Sequence, residues 1–408
     1  MSAVTTTWPT TRTGSTGGSS RPQARLREHG PTRLMNGGDR DAILRTLPQR
    51  FPLLPRPKPT CGSLADRLDR LRHKATLARE HDDAALLHAA EALNLAALIA
   101  SDCDMPRLAR DLCWRQIYQF ATGPGPYDHR TAKLALQPLI NLARLHARDS
   151  DGTTAYRLHE EILHAARERG DLLIDGHTVR FDTLIADGEE QTSIVQWLWT
   201  VLLSSGLRAL CQTGRWADAH HHAQRHHGIG QRLLDGRQIA ILDHATAGRS
   251  AEAAGMLDES DTPTDWERAV AAYLRVVTRT LAGDANNDDI AAMTNSVIAL
   301  NPDPGRATFH LRLVAAAAGI ARDSHQTACV TSFAKEHLLG QASHDAYLAR
   351  ELLTALPCPA LSDAYRSQMH NIVRQAGLGT PLATDDLDTL MKAARRSETA
   401  LATQLRRP

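Results

Sequence analysis

Five histidines fall within eight positions, His220, His221, His222, His226 and His227. On a helix His222 and His226 stand one turn apart on the same face, a spacing that can hold a zinc ion. A structural zinc needs two more ligands, Cys211 is the one thiol nearby, and no His-Glu-x-x-His is present. No metal and no cofactor is therefore expected. A second group suits catalysis better. His177, Arg180 and Asp182, followed by Glu189 and Glu190, place a proton carrier, a cation and carboxylates within 14 positions. An imidazole beside a carboxylate is the usual general acid or base near neutral pH. A third group joins Trp114, Arg115, Tyr118 and Gln119 to Tyr127, Asp128 and His129; aromatic and arginine side chains are the ones that dominate binding hot spots. Arg225, Arg232 and Arg237 could line a groove for an acidic peptide terminus. The plainer alternatives are solvated helix faces for the charges and core packing for the tryptophans.

These residues need elements to position them. The phrase Gly214-Arg215-Trp216-Ala217-Asp218-Ala219 returns 34 residues later as Gly248-Arg249-Ser250-Ala251-Glu252-Ala253, a period that belongs to helix-turn-helix solenoids. Each glycine suits the left-handed end of a first helix, and Ala219 and Ala253 allow close approach of paired helices. Gly283 follows 35 residues after Gly248, so the register nearly persists. Apolar residues at helical spacing, broken at Asp104-Met105-Pro106, at Gly123 to Pro126, around Gly152, at Pro357 and Pro359 and at Gly377 to Pro381, predict helices from Ser63 to the end. One stretch departs from this pattern. Leu172 to Phe181 is two β-prone runs around Asp175-Gly176, which predicts a hairpin with a type I′ turn. Gly152 and Gly214 lie 62 residues apart, 28 more than one period, so the hairpin and its loop read as an insertion near 171–190. Insertions in a solenoid emerge on one face, often the binding face.

Residues 1–60 carry Ser, Thr, Gly, Pro and Arg with few apolar side chains, which predicts a disordered tail. Met35 is an alternative start, and Phe51 to Pro59 reads as a semi-rigid extended lead-in with a PxxP-like ligand pattern as its alternative. The helical-repeat domain is then 61–408. A net charge of +1 argues against a general polyanion binder, so nucleic acid is not an expected partner. Six scattered cysteines without CxxC read as reduced thiols on apolar faces. No apolar run is expected to reach membrane-spanning length and the N-terminus has no secretory h-region, so no membrane partner is expected and cytoplasm is the default. Phosphate-loop, GxSxG and paired-Cys zinc motifs do not occur.

On Gly214, Trp216, Ala219, Gly248 and Ala253 at their 34-residue separation, residues 200–260 resemble the tetratricopeptide (TPR) family. The small residue that family places near Leu207 and Ile241 is bulkier here, and no proline closes the repeat around Gln231. The overall texture is also similar to helical accessory proteins of peptide natural-product pathways in high-GC bacteria. The resemblance implies an all-α, TPR-like α-α superhelix that binds a peptide or partner protein in a concave groove; the inserted β-hairpin is foreign to that family. Such a protein would serve a bacterial regulatory or biosynthetic pathway, and the residue clusters offer Arg180, Trp197, Arg115, Arg225 and Glu189 as its ligand contacts. The alternative is a peptide-modifying enzyme, such as a lanthipeptide-type cyclase, using His177, Asp182 and Tyr118. A regulator working beside a DNA-binding domain is a third possibility.

Overall fold

Alanine- and leucine-rich segments separated by Gly, Pro and Asp breaks fold here as helix after helix, with one hairpin. The computed structural model describes residues 37–80, 84–301, 303–321, 324–355 and 362–407. The helices begin with α1 (Gly37–Arg50), α2 (Leu64–Leu77), α3 (Ala85–Asp102), α4 (Pro106–Ala121), α5 (His129–Arg148) and α6 (Gly152–Glu168). The hairpin of β1 (Asp171–Ile174) and β2 (His177–Arg180) and the short α7 (Phe181–Leu184) follow. Next come α8 (Glu189–Val201), α9 (Leu207–Gln212), α10 (Trp216–Arg225), α11 (Asp235–Thr246), α12 (Ser250–Asp258), α13 (Asp265–Ala282) and α14 (Asn287–Ile298). The chain ends with α15 (Ala307–Ala318), α16 (Ser324–Ala342), α17 (Ala346–Ala355), α18 (Asp363–Gln375) and α19 (Thr384–Leu405). A π-helical turn at Leu202–Gly206 lies between α8 and α9, and the helix read over 192–212 runs through it as part of Glu189–Gln212. The fold class is all-α.

The repeated phrase makes the same turn twice. Gly214 and Gly248 have φ 75° and 80°; Arg215 and Arg249 follow at φ −84°, ψ 62° and φ −86°, ψ 62°. Each arginine donates its N–H to the carbonyl five residues back, Leu210 or His244, closing a Schellman cap. This turn also occurs where no glycine marks it. Asp104 (φ 54°) and Ser150 (φ 63°) take the left-handed position, and Met105 and Asp151 donate to Ala100 and His146. Gly152 is therefore not the glycine of its turn. It is the first residue of α6, and a Cβ there would lie 2.1 Å from the Ala209 carbonyl oxygen, so its role is close approach of α6 to α9.

Successive helices from α9 to α18 pack as neighbours, and α9, α11, α13, α15 and α17 also touch one another in order, forming one layer. The core runs through that layer: Leu207, Ile239, Tyr273, Leu311 and Leu348 are all buried. At the far end α19 packs on α2, α3 and α4, so the end of the chain meets its beginning. A buried ion pair fastens that junction. Asp102, at the end of α3, accepts from Arg67, from Arg148 at 2.9 Å and from the Tyr347 hydroxyl of α17. Its backbone carbonyl accepts from the Gly379 N–H at 2.8 Å.

Two expectations need correction. Residues 37–60 are not a solvated tail: α1 packs on α9, α13 and α15, and Ile43, Leu47, Phe51 and Leu53 are buried. Four apolar side chains on one face of a helix and its extension are enough, at about 2 kcal/mol each. Residues 1–36 lie outside the described residues, as do Pro357, Cys358 and Pro359. Second, Ala85–Asp102 and Glu189–Gln212 are each long and apolar enough to cross a membrane by length and composition alone. Alanine runs produce this in α3, whose Ala89, Ala90, Ala92 and Ala96 are fully buried against neighbouring helices.

Candidate functional site

The face of the α9–α17 layer carries an extended segment, and that segment belongs to the chain itself. After α1, residues 51–60 form neither helix nor strand, because four prolines in nine residues deny the donors that either ladder needs. Phe51 stacks on Tyr273 of α13, ring centroids 5.7 Å apart. Two residues on, Gln238 of α11 grips the backbone of Leu53. Its Oε1 accepts from the Leu53 N–H at 2.8 Å, and its Nε2 donates to the Leu53 carbonyl at 2.9 Å. The same Nε2 donates to the Leu233 carbonyl at 2.9 Å, which fixes the amide. Arg56 pairs with Asp235, also of α11. Farther along, the Cys61 N–H donates to Asp345 Oδ1 at 3.0 Å, and the Cys61 carbonyl accepts from the Ala346 N–H at 2.8 Å.

This face gathers Arg56, Lys58, Arg208 and Arg312 beside the carboxylates of Asp235, Glu351 and Asp345. Lys58 is exposed at its surface, yet desolvation by the surrounding helices draws its ammonium down to about 8, and the Arg312 charge pushes the same way against Glu351 and Asp345. Burial also lowers Arg208 of α9 to about 10, with Arg312 again contributing. Burial raises the Asp235 carboxyl, while Arg56 opposes that shift.

The residues singled out by their chemistry lie elsewhere and are dispersed. The hairpin forms with Asp171 opposite Arg180 and Ile174 opposite His177. Asp175 and Gly176 both have positive φ, 51° and 79°, as a type I′ turn requires. Leu172, Ile174 and Val179 are buried, while Leu173 is 69% exposed. The tip is pinned to α4: Asp175 Oδ2 accepts from Arg110 at 2.6 Å and from Trp114 Nε1 at 3.1 Å, and the His177 ring lies 4.4 Å from that of Trp114. His177 thus packs on an indole and has no carboxylate partner among the described residues. Asp182 is bound instead by Arg180 at 2.8 Å, which holds its carboxyl below the usual range. Tyr118 is 65% exposed and its hydroxyl makes no hydrogen bond to the described residues. Among the described residues no hydrogen bond or ion pair joins His177, Asp182 and Tyr118 to one another.

The candidate ligand contacts are mostly engaged with the protein. Arg115 and Gln119 both bind Glu398 of α19, Gln119 at 3.2 Å. Trp197 is partly buried, with Lys133 Nζ 6.0 Å from its ring centroid. Glu189 is exposed at the start of α8, and its neighbour Glu190 binds His129 at 2.6 Å. Arg232 pairs with Glu267 at 3.0 Å, and the buried Arg237 donates to Ser260 Oγ at 2.8 Å and to the Met256 carbonyl.

Arg225 joins a second polar site. Glu160 Oε1 of α6 accepts from Arg225 at 3.1 Å, from the Tyr156 hydroxyl at 3.2 Å, and lies 3.0 Å from His226 Nε2. The His222 ring stacks on Tyr156 at 4.1 Å. Burial pushes the Glu160 carboxyl up, but the His226 and Arg225 contacts outweigh it and hold it low. Alongside runs a cleft of about 300 Å³ lined by Glu160, His164, Arg167, Arg225 and His226. The remaining histidines divide: His220 Nδ1 sits 2.8 Å from the buried Asp243, which also binds Arg249 at 2.8 Å. Among the described residues no three His, Cys, Asp or Glu side chains converge to hold a metal ion. Cys61, Cys103, Cys113 and Cys211 are buried free thiols.

Sequence reasoning passed over Gln238, Asp235, Arg208 and Lys58. The available signal was a Gln directly before the apolar run Ile239 to Leu242, together with Ile43, Leu47 and Phe51 spaced four apart. Set beside known proteins, the chain matches no family, no curated protein and no solved structure.

Proposed function

We propose that the chain is a TPR-like helical-repeat protein whose α9–α17 face binds an extended peptide of a partner protein in the manner in which it holds its own residues 51–58. The observation that carries this reading is the Gln238 clamp. A primary amide that accepts from one residue's N–H and donates to the same residue's carbonyl recognises extended backbone whatever the side chain. Gln238 is 0% exposed, and a sealed amide without partners would cost about 1–3 kcal/mol, so this face needs a peptide backbone on it. Tyr273 supplies an aromatic shelf and Asp235 a carboxylate for a basic residue three positions after the clamped one. A partner peptide of that pattern, apolar at the clamp and basic beyond it, would compete with the chain's own segment.

The test uses a fluorescent peptide of residues 49–60. Loosening the resident segment by Phe51→Ala with Arg56→Ala should raise the affinity for the added peptide about tenfold or more, because the competent state is then more populated. Adding Gln238→Ala should abolish binding. Equal anisotropy titrations for all three proteins would reject the reading.

A second reading, acid–base modification of a peptide, is favoured by the Glu160–His226 contact beside an open cleft. It requires a mass change in a precursor peptide that Glu160→Gln eliminates.

A further inference from the structure

We propose that the cavity between the chain's own extended segment and the helix layer, bounded by Arg56, Lys58, Arg208 and Arg312, is a binding site for a small tetrahedral oxyanion of the phosphate type. Four cationic side chains line it, together with Pro52, Leu53, Leu54, Thr308 and Phe309. Two of the four are neutralised by the protein, Arg56 by Asp235 and Arg312 by Glu351. The nearby Asp345 is occupied by the N–H groups of Cys61 and Tyr347. Among the described residues the Lys58 and Arg208 side chains make no close ion pair and no hydrogen bond; Glu351 attracts both from farther off, with Asp345 near Lys58 and Asp235 near Arg208. Arg208 Nη2 is sealed from solvent without any acceptor, a costly state for a charged donor.

Size and charge then select the ligand. The cavity measures about 50 Å³, and one water needs roughly 10–15 Å³ of such space. It has room for a five-atom oxyanion and none for a nucleotide. Guanidinium and ammonium groups are the side chains that bind such oxyanions, arginine by paired N–H bonds and lysine as a point charge. The depressed affinities of Lys58 and Arg208 for their protons fit the same picture, since both arise from burial plus repulsion by Arg312, and a bound anion relieves both. The placement has a consequence. Arg56 and Lys58 sit on the segment, Arg208 on α9 and Arg312 on α15, so a bound oxyanion ties the segment to the layer. The site stands on these four side chains and holds whether or not a foreign peptide binds the same face.

The experiment is calorimetric titration of the full chain with inorganic phosphate, with O-phosphoserine as a second arm. Expected is one site per chain, weakened about tenfold or more in Arg208→Gln and in Lys58→Gln and unchanged in Arg157→Gln, a change on the exposed face of α6. Phosphate should also slow hydrogen exchange across residues 54–60. Phosphoserine binding as tightly as phosphate identifies a phosphorylated side chain as the source, whereas phosphate alone identifies a free ion. Absence of heat and of any exchange effect at millimolar phosphate, or wild-type affinity in both variants, overturns the proposal. Lys58 lies on a loop, so its variant keeps the test open should Arg208→Gln fail to fold.

Discussion

Two side chains make the chemistry of this molecule measurable through pH. Lys58 faces Arg312, Arg208, Glu351 and Asp345, and its ammonium is drawn down to about 8. Above about pH 8, where inorganic phosphate is already a dianion, phosphate affinity is therefore expected to fall as Lys58 loses its charge; in Lys58→Gln that fall between about pH 8 and about pH 9 should be absent. His159 is 4% exposed, and burial with the Arg144 charge drives it down to about 3. The unfolded chain binds its proton near pH 6.5, so the folded state carries the deficit. Stability should fall as pH drops from about 6.5 toward 3, and His159→Leu should flatten that slope in urea titrations. Neither residue was legible as a site. Lys58 sits in a stretch whose composition reads as linker, and His159 is one of 20 histidines; what distinguishes them is that helices distant in sequence bury His159 and set Arg208 and Arg312 around the exposed Lys58. The acid–base set His177, Asp182 and Tyr118 was legible only as composition, because Arg180 claims the carboxylate and Trp114 the imidazole.

Among the elements, the turns carry the repeat and the prolines carry the segment. Gly248 has a left-handed backbone and nothing within 4 Å of an added Cβ, so Gly248→Ala should cost about 1 kcal/mol from backbone strain alone. Ser150→Gly should restore a similar amount, since serine now holds the same conformation. Gly152→Ala should cost more than about 2 kcal/mol, because its Cβ collides with backbone. Denaturant midpoints for the three variants check the order. The 34-residue echo was readable where glycine marks the turn at 214 and 248, and unreadable at 104 and 150, where Asp and Ser tolerate the left-handed region. The hairpin was readable because Asp-Gly suits a type I′ turn almost alone. Its role was not: the insertion is docked on α4 through Asp175 and His177, which meet Arg110 and Trp114.

At the scale of the whole molecule, contacts between distant parts of the sequence decide the account, and a sequence shows these least. α19 returning to α2, α3 and α4 leaves the array's end packed on its beginning, and Asp102 joins them through Arg67 and Tyr347. Asp102→Ala should destabilise by about 3–5 kcal/mol, because Arg67 then stays buried without its partner; a urea midpoint unchanged from wild type would contradict this. The same long-range logic places residues 51–58 on the layer's face, against helices roughly 180 to 290 positions later in the chain. Hydrogen exchange of the 49–61 stretch, compared between wild type and Gln238→Ala, tests that placement most directly. Slow exchange at Leu53 and its neighbours in wild type, becoming fast in the variant while α11 and α13 stay protected, is the expected result. Fast exchange in both proteins would show that the clamp holds nothing, and the peptide-binding face would have to be abandoned.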